Sequence, residues 1–207
     1  MICDRGIANC RHTGRMSTQL PLPGMNTVRR PTDGLFFALF PDQSATIMMG
    51  QLVERLRTEH GLVGAPVKPT DLHVTLHYLG RFDGLPGQIV TAARAAADTI
   101  RLASFQCAFD QVESFSGHAG ATPIILSGAG DMAGLAALHR ELGSALKGYG
   151  LRAESEPTFK PHVTLLYDER RVLTHTVEPI GRVTHEFALV HSVGHRYDQL
   201  ARWRFDR

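Results

Sequence analysis

The sequence predicts an α+β protein made of two pseudo-symmetric strand–helix–strand units around a central cleft. Three observations predict it. The tetrad His-Val-Thr-Leu occurs at 73–76 and again at 162–165. An apolar strand signal precedes each copy at a nearly constant interval, 37 residues from Phe36 to His73 and 38 from Ile124 to His162. Each interval also holds a helical pattern whose apolar stripe needs a sheet face to cover it.

The elements follow in order. Residues 1–33 show neither helical nor strand period and carry Pro21, Pro23, Gly24 and Pro31, with five arginines against two aspartates. They are expected to form a flexible tail, leaving 34–207 as the domain. GLFFALF at 34–40 is an apolar strand, and Pro41-Asp42 after it opens a helix. Met48, Leu52, Val53 and Leu56 recur at helical spacing, and Gly61 stops the helix. A strand over 71–79 follows, then an alanine-rich helix over 87–102 behind Pro86, then an alternating strand over 104–113. The second unit runs through a strand at 122–128, a helix opened by Asp131 with Leu135, Leu138, Leu142 and Leu146 on one stripe, and a strand at 159–167. Segments 183–193 and 197–205 are expected to close the fold as a hairpin through Gly194. The glycine-rich stretch at 127–134 lacks the GxxxxGK[ST] spacing of a phosphate loop, so it is a strand-to-helix turn with Asp131 as its cap.

Composition narrows the function. The chain has 207 residues, 43% of them hydrophobic and 20% charged, which is ordinary for a globular domain. A net charge of +2 provides no extended basic field for long nucleic acids, yet leaves room for a small phosphorylated ligand. The three cysteines, Cys3, Cys10 and Cys107, follow no CxxC or Cys/His ligand spacing, so neither a zinc site nor a disulfide framework is expected. A reducing cytoplasm suits them. The sequence offers no apolar run of membrane-spanning length, and a membrane role is not expected.

The repeated tetrad carries the chemistry. Side chains alternate along a strand, so His73 and Thr75 share one face, as do His162 and Thr164, with the valines and leucines opposite. By the same alternation His77 joins the face of His73, while Tyr78 and Tyr167 join the apolar face. Folding the two units about a two-fold axis brings two imidazoles and two hydroxyls to one pocket. Neither tetrad has a carboxylate beside its histidine, so a charge-oriented triad is not indicated, and two histidines are too few for a catalytic zinc. Two imidazoles titrating near neutral pH do suit paired acid and base work. Two hydroxyls can donate hydrogen bonds to phosphate oxygens during in-line displacement at phosphorus.

These motifs, HVTLHYLG and PHVTLLY in order and about 90 residues apart, resemble those of the 2H phosphoesterase superfamily, and within it the RNA 2′,3′-cyclic phosphodiesterases, also called 2′-5′ RNA ligase-like proteins. FFALFPD, VKPTDLHVTLHYLG and YDQLARWRF resemble the same family, so the likeness covers roughly 34–205. It implies a bilobal fold with a central cleft and opening of 2′,3′-cyclic phosphate ends of RNA or nucleotides to 2′-phosphates, with no metal or other cofactor. It maps His73 onto the proton donor, His162 onto the proton acceptor, and Thr75 and Thr164 onto the phosphate-binding hydroxyls, although near-identical motifs do not by themselves order acid and base. It also implies 2′-5′ ligation as the back reaction and a monomer acting on RNA ends or nucleotides.

The sequence departs from the family where many relatives carry an arginine two residues past the second motif: Tyr167 stands there. Lys160, Arg196, Arg202 and Arg204 are the candidate replacement cations. Phe36, Phe37 and Phe40 are core residues or, for one or two of them, a platform for a nucleobase. Tyr197 and Trp203 are expected to pack the last hairpin, His77 to sit at an edge of the sheet, and His191 and His195 to lie at the surface. Two other functions fit the same residues: a phosphodiesterase of another small cyclic phosphate, such as one derived from ADP-ribose, or a nucleotide- or RNA-binding module without catalysis.

Overall fold

In the computed structural model, the structure describes residues 32–115, 120–128, 130, 132–152, 159–194 and 196–206. The expectations for residues 1–31, for the Asp131 cap and for His195 lie outside these. Eight strands form one sheet: β1 (Asp33–Leu39), β2 (Val74–Phe82), β3 (Phe105–Ser114), β4 (Thr122–Ser127), β5 (His162–Asp168), β6 (His175–Thr184), β7 (Glu186–Val193) and β8 (Arg196–Arg204). Their order across the sheet is β6-β3-β4-β5-β2-β1-β7-β8. The helices are α1 (Gln43–His60), α2 (Gly87–Ala97) and α3 (Ala133–Gly148). The two units β1-α1-β2 and β4-α3-β5 meet at the sheet's centre, where β2 and β5 pair antiparallel through Val74 and Val163 alone. Those valines are the second residues of the two tetrads.

Local chemistry explains most of the boundaries. The Asp42 carboxylate accepts the Ala45 N–H at 2.7 Å, capping α1 for about 1 kcal/mol, and Gly61 ends it at φ 62°. The buried stripe of α1 uses Met49 where the spacing suggested Met48, which is only partly buried. Leu135, Leu138, Leu142 and Leu146 of α3 are fully buried, as their spacing requires. Helix α2 is shorter than expected, stopping at Ala97 because the chain turns at Asp98, whose side chain accepts the Trp203 Nε1–H at 2.6 Å.

The strand β6 has no counterpart in the sequence reading. Pro179 and Gly181 interrupt its pattern, and both are tolerable because β6 lies at the sheet's edge. Helix α1 packs on β5 and β6, and α3 packs on β2, β3 and α2, so each helix reaches strands beyond its own unit. The main core fills the space between the helices and one sheet face. A small second cluster, Phe36, Ala38, Ala188 and Val190 with Phe40, Tyr78 and Tyr197 against it, lies on the other face.

One irregularity occurs in both units. On β2, Ala38 pairs with Thr75 and Phe37 with His77, so Leu76 is an extra residue in the ladder. On β5, Ile125 pairs with Thr164 and Ile124 with Leu166, so Leu165 is the extra residue. A bulge of this kind reverses the alternation beyond it. His77 therefore turns to the helix side and Tyr78 to the side of Thr75, the reverse of strict alternation. Leu166 is buried likewise, and Tyr167 turns to the side of Thr164 with about half its surface exposed.

Candidate active site

The pairing of Val74 with Val163 fixes the centre of the site. Continuing that antiparallel register sets His73 across from Thr164, and Thr75 across from His162. The four tetrad side chains therefore gather at one seam, on the face away from the helices. Each histidine is held in the same way. The Nδ1–H of His73 donates to the Asp71 carbonyl at 2.6 Å, and that of His162 to the Lys160 carbonyl at 2.9 Å. A carbonyl can only accept, so in both neutral rings the proton sits on Nδ1 and the Nε2 lone pair is free for chemistry.

The surroundings of the two rings differ. His73 lies among Phe36, Phe40 and Tyr197, at ring-centre distances of 5.1, 6.1 and 5.2 Å. Burial is the main force lowering its proton affinity; the Asp71 carbonyl works against it, and the nearby charge of His162 lowers it further. Among the described residues His162 has one aromatic neighbour, Phe115 at 5.1 Å, and it sits next to an ion pair. Lys160 Nζ meets Glu113 Oε1 at 2.8 Å, and Ser127 donates to the same carboxylate oxygen at 2.7 Å. Burial raises the Glu113 carboxyl, but these bonds, with the charges of Lys160 and His162, outweigh it and leave the group below its usual range.

A concavity of about 270 Å³ opens from His73 and Thr75 along the outer face of β1 and β2. Phe36, Tyr78, Tyr197, Ser192 and Arg81 line it further out. His162 and Thr164 border it from across the seam and are not part of its lining. A larger hollow of about 440 Å³ lies behind Val74 and Val163, walled by Leu39, Met49, Phe109 and Phe187, and holds none of the tetrad histidines or threonines. Of the tetrad side chains, His73 and Thr75 line the smaller space.

Several sequence expectations need correction here. His77 is not at an edge: it is buried beneath α3, with Nε2–H donating to the His139 carbonyl at 2.8 Å and its ring stacked on His139 at 4.1 Å. Tyr78 and Tyr197 line the cleft while packing against the small cluster on that face, so Tyr197 packs the hairpin as expected and Tyr78 leaves the helix-covered face. His191 is no free surface residue; its Nε2 meets the buried Asp33 carboxylate at 3.1 Å. Phe37 is core, while Phe36 and Phe40 frame His73. Trp203 packs on Phe37 and Phe187, as expected of a core-facing hairpin residue. Of the proposed replacement cations, Lys160 is engaged by Glu113, Arg196 by Asp198, and Arg202 and Arg204 by Glu186. Arg81 is the cation of the concavity, and sequence reasoning missed it because β2 runs on to Phe82, past the end expected at residue 79.

The comparisons with known proteins agree with this geometry. The model of the 2′-5′ RNA ligase superfamily matches residues 40–206. The chain belongs to the 2′-5′ RNA ligase superfamily. Its fold is that of LigT from E. coli, which is 24% identical and superposes with a TM-score of 0.67 over 86% of this chain and 100% of LigT. A solved phosphoesterase, 26% identical, covers the same shares with a TM-score of 0.66. A Thermus thermophilus protein, 21% identical, gives a TM-score of 0.65 over 83% of this chain and 97% of its own. No curated protein matches the chain in sequence. LigT has been solved with 3′-AMP, with ATP and with phosphate. This chain carries both tetrads, with Tyr167 two residues after the second.

Proposed function

We propose that the protein hydrolyses 2′,3′-cyclic phosphate ends of RNA or nucleotides to 2′-phosphates by two-histidine acid/base catalysis. The observation that carries this reading is the matched pair of Nδ1-anchored imidazoles across one seam, each beside a threonine hydroxyl. The cyclic phosphate lies over the seam, where Thr75 and Thr164 donate hydrogen bonds to its non-bridging oxygens. Nε2 of His162 takes a proton from water as the water oxygen attacks phosphorus. The P–O3′ bond opposite breaks, and His73 returns a proton through Nε2 to the departing O3′. The 2′-oxygen keeps the phosphate. Water at bulk concentration is the favoured nucleophile, and 2′-5′ ligation is the same ring opening with an RNA 5′-hydroxyl in place of water.

The surroundings favour this order of acid and base. His73 is the more enclosed ring, next to the aromatic wall where a nucleoside would stack, and so next to the leaving ribose oxygen. Its lowered proton affinity makes its imidazolium, once formed against a bound anion, a ready donor. His162 lies on the side with fewer aromatic neighbours, where water can enter. The nucleotide and phosphate complexes of LigT support a phosphorylated ligand for this cleft.

The test is turnover of a nucleoside 2′,3′-cyclic phosphate in EDTA. His73→Ala and His162→Ala are each expected to lower kcat by about 10²- to 10⁴-fold with melting temperatures unchanged. Saturable binding without product in the wild type would instead leave a binding module. Turnover undiminished in either variant rejects the assigned roles.

A further inference from the structure

Arg81 is exposed and lines the cleft's outer end, and among the described residues it makes no hydrogen bond or ion pair. Each of the other cations weighed for the site has a carboxylate partner. An arginine at the mouth of a catalytic cleft with no side-chain partner among the described residues is available to a ligand's phosphate. Its direction is set by register. Gly34 pairs with Arg81 and Phe36 with Tyr78, so Arg81 stands on the face that carries Tyr78 and Thr75. Gly34 opposite it has no side chain to fill the groove, and a Cβ there would come within 3.2 Å of the Tyr78 hydroxyl.

Register also gives the distance. Thr75 pairs with Ala38 and Arg81 with Gly34, so six steps along the bulged β2 cover only four along β1. At about 3.3 Å per residue, Thr75 and Arg81 are roughly 13 Å apart along the groove. Phe36, Tyr78 and Tyr197 line the space between. A guanidinium reaching inward shortens that gap to about the length of one nucleotide.

We propose that Arg81 receives the phosphate on the 5′ side of the terminal nucleotide, so that the preferred substrate is an RNA end of at least two nucleotides rather than a free nucleoside cyclic phosphate. This rests on the cyclic phosphodiesterase reading above. With the cyclic phosphate at the His73–Thr75 end, the terminal nucleoside lies against the aromatic wall. The only other backbone phosphate it can carry is on its 5′ oxygen, and that phosphate falls at Arg81.

The experiment compares kcat/KM on three substrates: a nucleoside 2′,3′-cyclic phosphate, the same compound with a 5′-monophosphate, and a dinucleotide ending in a cyclic phosphate. Wild type is expected to prefer the dinucleotide. Arg81→Ala is expected to lower the dinucleotide-to-nucleoside ratio by about five- to tenfold, through KM. On the dinucleotide it should also flatten the dependence of log(kcat/KM) on log[salt] by about 0.7, the loss of one phosphate contact to a single strand. Arg81→Lys should restore the salt slope in part. A preference confined to the 5′-monophosphate compound assigns the subsite to a mononucleotide phosphate and overturns the RNA-end proposal. An equal effect of Arg81→Ala on all three substrates, or none, overturns the role of Arg81. No turnover of any of them by the wild type is the separate failure of the underlying reading.

Discussion

His77 provides a direct test of the bulge that shapes the cleft. Strict alternation puts it beside His73 and Thr75, whereas the bulge at Leu76 puts it under α3. The corresponding position in the second unit is Leu166, so His77→Leu makes the two units alike at nearly constant volume. The substitution removes one hydrogen bond to the His139 carbonyl, worth about 0.5–1.5 kcal/mol, though that carbonyl keeps its helical partner. It also removes the 4.1 Å stack on His139, worth a further 0.5–1.5 kcal/mol or so. Against this, His77 Nδ1 is buried with no hydrogen-bond partner, and relieving an unpaired acceptor returns about 1–3 kcal/mol. At pH 7.5 these cancel to within about 1 kcal/mol. Acid separates them. Burial, partly opposed by the His139 carbonyl and assisted by Lys147, lowers the proton affinity of His77 in the folded chain. The unfolded chain thus takes up a proton below about pH 6.5 that the folded chain refuses, and wild type loses up to about 1.4 kcal/mol per pH unit from this group. His77→Leu escapes that loss. Thermal melts followed by circular dichroism should show the variant gaining about 2–4 °C on wild type between pH 7.5 and 5.5, with turnover of cyclic phosphate unchanged. A pH-independent difference, or lost turnover in a fully folded variant, would refute the placement of His77.

Other measurements probe the remaining assignments. Asp168 is buried and its carboxylate accepts three backbone N–H groups, from Val63, Gly64 and Arg170 at 2.7, 2.6 and 2.8 Å. Asp168→Ala should cost about 3–5 kcal/mol in urea unfolding, and Asp168→Asn less, because its carbonyl can keep the first two bonds. The Arg170 N–H, then burial acting in the opposite sense, then the other two N–H groups leave this carboxyl below its usual range, so its contribution disappears as pH falls below about 3.8. His139 is held down to about 4, chiefly by burial and also by His77, which adds acid destabilisation between about pH 6.5 and 4. Discounted for its partial exposure, that is on the order of 1–2 kcal/mol, and His139→Phe should remove it from the melts. In the proposed reaction His73 must be protonated to donate. One limb of the kcat/KM profile should therefore lie below the ordinary histidine value of 6.5, and a profile with neither limb below it contradicts the placement of His73. Glu113→Gln removes a negative charge that faces His162 and releases Lys160 beside it. The variant is expected to lower kcat/KM on the cyclic phosphate with its melting temperature little changed, because the pair lies beside one of the two proposed catalytic rings.

Much of the fold was legible because its signals are local. The Asp42 cap, the Gly61 stop and the leucine stripe of α3 each depend on residues within a few positions of one another, and the structure keeps all three. The tetrads were legible because they are duplicated. What stayed hidden depends on partners distant in sequence. The strand β6 contains a proline and a left-handed glycine, Gly181 at φ 147°, and forms because β3 offers a free edge. The bulges at Leu76 and Leu165 appear only when β1 and β4 are laid alongside, and a single extra residue sends His77 inward and Tyr78 and Tyr167 outward. Arg81 was passed over because β2 runs on past residue 79, where the strand was expected to end, and the part that Tyr197 plays against His73 was hidden by its place at the far end of the chain.

Sequence identity between the two tetrads conceals a physical difference between them. Both histidines use the same anchor, a carbonyl two residues back, but this anchor is not unique to the cleft: His175 makes the same bond to the Leu173 carbonyl at 2.9 Å. The bond fixes a tautomer and says nothing about function. What distinguishes His73 and His162 from His175 is that β2 and β5 meet back to back at their valines, so two such rings share one seam with two hydroxyls. What distinguishes His73 from His162 is the neighbourhood each half of the sheet supplies. One half brings Phe36, Phe40 and Tyr197, which desolvate the ring and disfavour its charge. The other brings the Glu113–Lys160 pair, whose charges lie close to the ring. A symmetric pair would share a proton without preference and could not assign one ring to water and the other to the leaving oxygen. The asymmetry needed for acid and base roles thus lies outside the repeated residues, in the strands around them.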